Sequence, residues 1–348
     1  MPDQDETTSS RYSRQERFAP LGVEGQRKLR QGSVLIVGCG ALGSVSANTL
    51  VRAGVGLVRI VDRDFLELSN LQRQVLFDEQ DVARGLPKAI VAADKLTAIN
   101  SDVTVEPVVA DLTHANISEL ANGVEVIVDG TDNFETRLLL NDYAVSTGRP
   151  WIYGGCLGAE GQVMPILPGE TACLTCLMPQ PPSPGSTPTC DSAGILGPAV
   201  NLVASMQATE AIKLLSGKKE AVSRHLIVID LWQNRIRQLD LSSLHAPGSC
   251  RTCHQRHFPW LEGRLGSEAS VLCGRNSVQI RPAEASKIVL EDLAARVAQL
   301  GEVTSNPFLV RLSVDDFQIT VFADGRAIVG GTEDAAIARS LLAKYIGN

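Results

Sequence analysis

The chain of 348 residues has no uninterrupted apolar run that approaches the roughly 18 residues needed by a membrane-spanning helix. Its N-terminus, MPDQDETTSS, is polar and acidic, and it lacks the basic stub and apolar core of a secretory signal. There is no excess of lysine and arginine either, because the formal net charge is −7. Binding of nucleic-acid phosphates relies on such an excess. These absences predict a cytoplasmic protein that associates with neither membranes nor nucleic acids.

Two further absences limit the chemistry. No glycine-rich loop ends in Gly-Lys-Ser or Gly-Lys-Thr, so P-loop kinase or NTPase chemistry is not expected. No nucleophile is spaced to use a histidine as a catalytic base, which predicts surface or packing roles for His225, His245, His254 and His257. Apolar residues make up 44% of the chain and charged residues 20%, enough for a substantial core. The length then predicts one large α/β domain with a small appendage.

The pattern from residue 34 to Asp62 is typical of the opening of a Rossmann-like nucleotide-binding unit. The apolar run of residues 34–37 is followed by Gly38-Cys39-Gly40-Ala41-Leu42-Gly43 and by a helical pattern that runs to Gly54. These glycines permit a tight turn, a close approach of backbone to phosphate, and packing of the helix on the strand. A second apolar run ends in Asp62, nineteen residues after Gly43, where a carboxylate can hold a ribose hydroxyl.

Several polar and cationic side chains follow Asp62 just beyond the predicted strand end: Asp64, Asn70, Gln72, Arg73 and Gln74. An adenosine ribose needs fewer polar groups, so this cluster suits a triphosphate. The glycine turn and Asp62 also allow an NAD-dependent oxidoreductase, and the residues alone leave that alternative open.

Two more loops offer ligands for a nucleotide. The apolar run of residues 124–128 ends in Asp129-Gly130-Thr131-Asp132-Asn133, and Asp132 is the candidate ligand for Mg²⁺, which takes one or two carboxylates plus nucleotide phosphates. The alternative is that Asp129 or Asp132 caps the helix that begins near Phe134. Lys88 follows a proline suited to the first turn of a helix, which predicts that its side chain lies close to any anion bound there.

Four of the eight cysteines form two Cys-x-x-Cys pairs, Cys173 with Cys176 and Cys250 with Cys253. Two such pairs can supply four thiolates to a tetrahedral Zn²⁺ in a closed, structural site. A redox-active dithiol is the alternative.

Beyond these local patterns, VDRDFLELSNLQRQ placed shortly after GCGALG resembles the signature of the MoeB/ThiF (HesA) family. Its members are bacterial relatives of ubiquitin-activating enzymes, and they adenylate the C-terminus of small ubiquitin-like sulfur carrier proteins. The string RYSRQ, residues 11–15, matches the N-terminal motif of the family. The resemblance is strong over residues 11–257 and looser afterwards. One departure is Ala41, where many relatives have glycine, and its methyl group slightly narrows the approach to the phosphates.

The resemblance implies an ATP-dependent adenylyltransferase that also uses Mg²⁺ and Zn²⁺. The carrier's C-terminal carboxylate would attack the α-phosphorus of ATP and release pyrophosphate. The tail contains CGRNSVQIRP and KYIG, which resemble the extension of ThiF-type enzymes, so a ThiS-like carrier and thiamine biosynthesis are favoured. The alternatives are a MoaD-type carrier in molybdopterin synthesis and a zinc-stabilised scaffold without catalysis.

The resemblance also implies roles for individual residues. Arg14 would reach across a homodimer to the partner's ATP. Arg73, Lys88 and a Mg²⁺ ion on Asp132 would neutralise the phosphates, and Asp62 would hold the ribose. The implied nucleotide site comprises Gly38, Gly40, Ala41, Gly43, Asp62, Asp64, Ser69, Asn70, Gln72, Arg73, Lys88, Asp132 and Asn133.

Cys190 stands after a proline-rich loop and before a helix predicted over residues 193–216. Helix N–H groups favour a thiolate at that place, whereas the neighbouring Asp191 opposes one. In MoeB/ThiF-like proteins the cysteine here lies in a crossover loop, and in some members it links covalently to the activated carrier. The alternative is an incidental exposed cysteine.

Four segments are predicted around a doubly wound, mostly parallel α/β sheet. They are a flexible tail (residues 1–10), an adenylyltransferase domain with zinc knuckles (11–257), a linker (258–276) and a small α/β C-terminal domain (277–348). The last is too short for the sulfurtransferase domain that other members append, and only Cys273 could serve there as a nucleophile. A separate sulfur donor is therefore expected.

Overall fold

The computed structural model describes residues 11–182, 193–246, 248, 250–265, 269–272, 276–280 and 288–347. The chain divides into two compact units, Met1–Leu265 and Gly266–Asn348. The boundary between them lies inside the segment predicted as a linker. The predicted flexible tail, Cys190 and Cys273 lie outside the described residues.

Eight strands form the central sheet of the first unit. They are β1 (Ser33–Val37), β2 (Leu57–Val61), β3 (Thr104–Val108), β4 (Val126–Asp129), β5 (Trp151–Leu157), β6 (Glu160–Ile166), β7 (His225–Asp230) and β8 (Arg235–Asp240). Their order is β3-β2-β1-β4-β5-β6-β7-β8. Strands β1 to β5 are parallel, and β6 to β8 continue the sheet with antiparallel pairings. The prediction of a mostly parallel α/β sheet is confirmed, and its chain order reverses next to β1, where such sheets bind ligands.

The helices of the first unit connect and cover these strands. They are α1 (Gly22–Gln31), α2 (Ala41–Ala53), α3 (Glu79–Arg84), α4 (Lys88–Ile99), α5 (Ile117–Leu120), α6 (Phe134–Thr147), α7 (Leu174–Leu177) and α8 (Gly197–Leu215). Helix α8 starts at Gly197 rather than at residue 193 as predicted, and Pro198 in its first turn suits that start. No helix among the described residues is long and apolar enough to cross a membrane.

Apolar side chains pack on both faces of this sheet. All five residues of β1 are buried, and its alternate positions point to opposite sides. Val34 and Ile36 join the core that α2, α4 and α8 cover, whereas Leu35 and Val37 join the core beneath α6. The sheet is therefore the middle layer of three.

Three glycines let backbone segments meet at the end of β1. A Cβ atom at Gly43 would lie 1.8 Å from the carbonyl oxygen of Gly38, and one at Gly130 would lie 2.3 Å from the same oxygen. Gly38 has a φ of +85°, in the left-handed region that favours glycine. The turn after β1, the first turn of α2 and the loop after β4 consequently pack without side chains between them.

The second unit contains an antiparallel sheet in the order β11-β12-β13-β14-β10-β9. Its elements are β9 (Ala269–Leu272), β10 (Ser277–Ile280), α9 (Leu290–Val297), β11 (Glu302–Asn306), β12 (Leu309–Val314), β13 (Phe317–Phe322), β14 (Ala327–Gly330) and α10 (Ala335–Tyr345). Leu293 of α9 and Ala338 of α10 pack into the same core as Ile319 and Val329 of the sheet. Strands β9 and β11 were not predicted from the sequence.

The last residues of the first unit are tied to α6. The Trp260 backbone N–H donates to Asp142 Oδ2 at 2.9 Å, and the Trp260 ring lies in the core beneath α6. Asp142 is 1% exposed. Burial raises the pKa of the Asp142 carboxyl to about 6, although the backbone N–H groups of Trp260 and Leu261 oppose that rise. This carboxyl therefore joins the end of the unit to its core.

We expect Gly43→Ala to prevent folding or to lower the free energy of unfolding by more than about 4 kcal/mol. The new methyl group would lie 1.8 Å from a backbone oxygen, which no side-chain rotation can relieve. Gly40→Ala is the matched control, because the nearest atom to its Cβ would be 3.9 Å away. Urea unfolding followed by circular dichroism measures both. Equal stability of the two variants would contradict this account of the turn.

We expect the wild-type protein to lose stability relative to Asp142→Asn as the pH rises from about 4 to about 6. Its unfolded carboxyl ionises near 3.8, whereas the folded one stays protonated until about 6, so ionisation favours the unfolded chain in that window. Above it the difference levels off at no more than about 3 kcal/mol. Urea unfolding between pH 4 and 7 tests this, with Asp316→Asn as an exposed control. A difference that does not vary with pH would contradict it.

Candidate active site

The first turn of α2 is open beside Gly40. Gly40 is the N-cap of α2, and as a glycine it supplies no side-chain cap to the first N–H groups of the helix. Among the described residues, a Cβ atom at Gly40 would come within 4 Å of a single atom, Gln74 Nε2 at 3.9 Å. Packing therefore does not require this glycine, and its small size leaves room next to N–H groups that bind anions. Ala41, beside it, packs partly against the core.

Asp62 braces the glycine turn from the end of β2. It is 8% exposed, and its carboxylate oxygens accept hydrogen bonds of 2.6 Å from the backbone N–H groups of Cys39 and Asp64. Each carboxylate oxygen has a second lone pair, so a hydroxyl donor can still bond to it. Burial raises the pKa of the Asp62 carboxyl, and the Lys88 ammonium opposes that rise.

Two cations, buried Lys88 and half-buried Arg63, are paired with carboxylates beside Asp62. Lys88, the first residue of α4, is 3% exposed, and its Nζ lies 3.6 Å from Asp64 Oδ2. Arg63 bonds to Asp111 at 2.9 Å and lies 3.8 Å from Asp64. Burial lowers the pKa of the Arg63 guanidinium, but Asp111, Asp64 and Asp132 outweigh this and raise it. The Arg63 guanidinium thus stays charged beside Asp64 and Asp111.

Beyond Asp64, the residues predicted to suit a triphosphate lie in a compact turn: Asn70, Gln72, Arg73 and Gln74. Asn70 is 3% exposed, and its side chain accepts a bond from the first N–H group of the turn at 3.2 Å. Arg73 is half-buried and donates to the Ser69 carbonyl at 2.9 Å. The Ser69 and Gln72 side chains lie at the surface. The turn therefore brings Gln74 next to the glycine loop, and Arg73 precedes it in the chain.

The loop after β4 has its own hydrogen bonds. Asp129 is fully buried, and its Oδ1 accepts from the backbone N–H and the hydroxyl of Thr131 at 2.9 and 2.7 Å. Asn133 caps α6 by accepting from the Thr136 N–H at 2.9 Å. The alternative that Asp129 or Asp132 caps this helix is therefore wrong. Asp132 instead points its exposed side chain out of the loop.

The four cysteines of the two Cys-x-x-Cys pairs come together. Cys173 Sγ lies 3.7 Å from Cys176 Sγ and 3.7 Å from Cys250 Sγ, and Cys176 Sγ lies 3.4 Å from Cys253 Sγ. Sulfur atoms bonded tetrahedrally to Zn²⁺ at about 2.3 Å stand about 3.8 Å apart. The cluster therefore fits a four-thiolate metal site.

Polar groups surround this cysteine cluster. Asn141 of α6 places its Nδ2 3.7 Å from Cys173 Sγ. The Nδ1 atoms of His245 and His254 each lie 3.7 Å from Cys253 Sγ. An amide donor such as Asn141 at this position orients a metal ligand and supports its negative charge. The two histidines, expected at the surface or in packing roles, are neighbours of the cluster.

Most of the predicted nucleotide residues lie along one edge of the sheet. The glycine turn, Asp62, Asp64 and Lys88 are joined by the contacts above, and the charge of Asp132 reaches the same group through Arg63. Arg14 is exposed in the helical residues 11–16, and no described contact links it to the cleft. Cys190 lies outside the described residues.

Sequence reasoning missed two residues that shape this edge. Arg137 is 7% exposed, and its Nε donates to Asp129 Oδ2 at 3.1 Å. Gln207 is fully buried, and its Nε2 donates to the Asp129 carbonyl at 2.8 Å. The available signal was a charged or amide side chain within an otherwise apolar stretch of α6 or α8. That signal does not reveal the partner.

Comparison with known proteins places these residues in a family context. A model of the ThiF family matches residues 12–252. The sulfur carrier protein ThiS adenylyltransferase of Bacillus subtilis is 48% identical over 341 residues, which are 97% of this chain and 100% of that protein. A sulfur carrier protein adenylyltransferase of Thermus thermophilus is 42% identical over 234 residues, 66% of this chain and 86% of that protein.

Solved structures share the fold over much of this chain. The crystal structure of E. coli MccB with MccA-N7isoASN matches with a TM-score of 0.61 and 25% sequence identity. The match covers 70% of this chain and 74% of that chain.

Proposed function

Because the chain belongs to the ThiF family, we propose that it uses ATP to adenylate the C-terminal carboxylate of a ubiquitin-like sulfur carrier protein. A ThiS-like carrier is favoured. The observation that carries this proposal is the 48% identity to the Bacillus subtilis ThiS adenylyltransferase over 97% of this chain. The cleft supports it, since helix N–H groups and buried cations are what a triphosphate requires.

In the proposed reaction a carboxylate oxygen of the carrier bonds to the α-phosphorus of ATP, and the bond from that phosphorus to pyrophosphate breaks. The protein forms no covalent bond in this step, so it acts by positioning the reactants and neutralising charge. We assign charge neutralisation to Lys88 and Arg73 and ribose binding to the free lone pairs of Asp62. The N–H groups of α2 behind Gly40 bind phosphate oxygens in this scheme.

Asp132 is the residue that we assign to Mg²⁺. Its exposed carboxylate follows β4, at the sheet edge that carries the cations, and this ion prefers carboxylate and phosphate oxygens. A bound Mg²⁺ would add positive charge next to the departing pyrophosphate. The Asn133 oxygen is used by its helix cap, so its amide N–H group is what it offers to the nucleotide.

The proposal extends to partners. The exposure of Arg14 suits an arginine that serves the nucleotide site of a second copy in a homodimer. Cys190 is assigned as the thiolate that attacks the acyl-adenylate, which releases AMP and leaves the carrier as a thioester. A separate donor supplies sulfur, and thiamine biosynthesis in the cytoplasm is the proposed context.

We also propose that Cys173, Cys176, Cys250 and Cys253 bind one structural Zn²⁺. Their sulfur spacing suits tetrahedral coordination, and four protein ligands leave no open position for chemistry. The site would join α7 to the residues that follow β8, because its two pairs come from those segments. A dithiol redox role would not require all four sulfur atoms to converge.

We expect exchange of labelled pyrophosphate into ATP in the presence of a ThiS-type carrier and little without one. Asp132→Ala should lower the exchange rate about 100- to 1,000-fold, the range typical for loss of one group that stabilises transition-state charge. Asp94→Ala is the control, because Asp94 is exposed and pairs with Arg84. The rates are measured at saturating ATP with each carrier.

The same assay separates the alternatives. Exchange with a MoaD-type carrier alone would assign the protein to molybdopterin synthesis. No exchange with any carrier, together with tight NADH binding, would overturn adenylylation in favour of an oxidoreductase. A rate unaffected by Asp132→Ala would overturn the assignment of Mg²⁺ to that residue.

We expect one zinc per chain by atomic emission, and none after Cys250→Ser. Loss of the metal removes several kcal/mol of stability, so the melting temperature should fall by roughly 10 °C or more. Cys156→Ser is the matched control, since Cys156 lies on β5 outside the cluster. Zinc retained at full occupancy in Cys250→Ser would refute the proposed ligand set.

A further inference from the structure

Side chains replace the ladder of main-chain hydrogen bonds where the pairing of β4 with β5 ends. The register of the two strands covers Ile127 with Trp151 and Val128 with Ile152. Beyond it, Gln207 Nε2 donates to the carbonyl of Asp129, the last residue of β4, at 2.8 Å and to that of Ile152 at 3.1 Å. An amide from α8 thus bridges the two strands.

Arg137 forms a second bridge one step further out. Its Nη2 donates to the Thr131 carbonyl at 2.7 Å and to the Gly154 carbonyl at 3.0 Å, and its Nε donates to the Asp129 carboxylate. The guanidinium lies 5.6 Å from the Phe134 ring centroid on one side. The hydrogen-bond acceptors of Arg137 are two main-chain carbonyls and one buried carboxylate. These partners hold its guanidinium in one position. We call Arg137 and Gln207 the β4–β5 clamp.

The clamp leaves no room for a side chain at Gly154 of β5. A Cβ atom at Gly154 would lie 2.3 Å from Gln207 Nε2, so β5 has no side chain there. Desolvating a guanidinium is unfavourable. An apolar side chain of the same volume would give the folded protein equal or greater stability. A planar fork that bonds several carbonyl oxygens at fixed angles, by contrast, sets the geometry of a loop.

That loop carries Asp132. On one side of it, Thr131 is held through its carbonyl by Arg137 and through its N–H and hydroxyl by Asp129. On the other side, Asn133 is held by its helix cap. The main chain is therefore fixed on both sides of a carboxylate that itself faces outwards. Asp132 also acts electrostatically on Arg137. Burial lowers the pKa of the Arg137 guanidinium, but Asp129, Tyr153 and Asp132 outweigh this and raise it.

We propose that the β4–β5 clamp is a positioning device: Arg137, supported by Gln207, holds Asp132 in the orientation that binds the metal ion of the nucleotide. This inference rests on the proposed function, in which Asp132 binds Mg²⁺. Neither clamp residue touches the reacting atoms. The clamp acts by lowering the number of orientations available to the Asp132 carboxylate before the metal binds.

The test compares Arg137→Met, Arg137→Lys and Gln207→Met with Arg149→Met. Arg149 is a matched control, because it also bonds a backbone carbonyl, at 2.6 Å, and lies 5.7 Å from the ring centroid of Tyr143. It follows the other end of α6, about 20 Å along a helix of this length. We measure Mn²⁺ binding in the presence of ATP by electron paramagnetic resonance, and carrier-dependent pyrophosphate exchange against Mg²⁺ concentration.

We expect Arg137→Met to weaken Mn²⁺ binding about tenfold and to raise the Mg²⁺ concentration for half-maximal exchange by a similar factor, with the KM for ATP within about threefold. Arg137→Lys should recover part of the loss, since an ammonium keeps the positive charge beside Asp129 but lacks the planar fork that bonds Asp129 through Nε and the two carbonyls through Nη2. Arg149→Met should alter the melting temperature only. If Arg137→Met does not fold, Gln207→Met tests the same inference. It should weaken Mn²⁺ binding in the same direction, by a smaller factor.

Unchanged Mn²⁺ affinity in every folded clamp variant would overturn the inference, whatever the exchange rate. A fall in melting temperature and rate with no change in metal dependence would assign the clamp a structural role alone. If the wild-type protein exchanges no pyrophosphate but the clamp variants still bind Mn²⁺ less tightly, the proposed function fails while the positioning role stands.

Discussion

The close backbone approach among Gly38, Gly43 and Gly130 is the constraint on which the rest of the site depends. It joins the end of β1, the start of α2 and the loop after β4 with no side chain between them. The N-terminus of α2 is thereby held next to the point where the strand order reverses, between β1 and β4. Asp62 then locks the turn by accepting the Cys39 N–H. The N-terminus of α2, the carboxylate proposed to bind ribose and the loop proposed to bind a metal ion are brought together by one packing requirement.

The charged groups of the cleft are arranged before any nucleotide arrives. Lys88 and Arg63 are almost buried, and their charges are balanced by Asp64 and Asp111. Pairing offsets most of the desolvation penalty that single buried charges would suffer. Since these groups need not reorganise when phosphate charge develops, the arrangement suits the proposed adenylation step, in which the protein forms no covalent bond to the reactants.

Rigidity at the carboxyl edge of the sheet comes from different sources on its two sides. Near β1 it comes from glycine packing, and near β5 it comes from the side-chain bridges of the β4–β5 clamp. On the face covered by α6, the cysteine cluster and the bond between Asp142 and Trp260 connect the end of the first unit to its core. Loops that bear proposed functional residues are in this way supported by buried, hydrogen-bonded elements.

Local sequence patterns predicted much of the first unit. The apolar run that ends in Asp62 coincides with β2, and the turn from Gly38 to Gly43 leads into α2 as expected, because buried parallel strands and glycine turns have strong local signals. The Cys-x-x-Cys pairs likewise predicted a cysteine cluster, because their spacing is a strong local signal. Strand β11, with the polar sequence EVTSN, was missed, since an edge strand needs few apolar residues and depends on its partner.

The sequence by itself determined the class of fold, the glycine turn and the residue types available for phosphate and metal. Only the tertiary structure decided that Asn133 rather than an aspartate caps α6, and that Arg137 and Gln207 bridge β4 and β5. Gln207 and Asp129 are separated by 78 residues, and no periodicity links them. Such contacts depend on how layers pack around the sheet, whereas the local motifs are set by the conformational preferences of neighbouring residues.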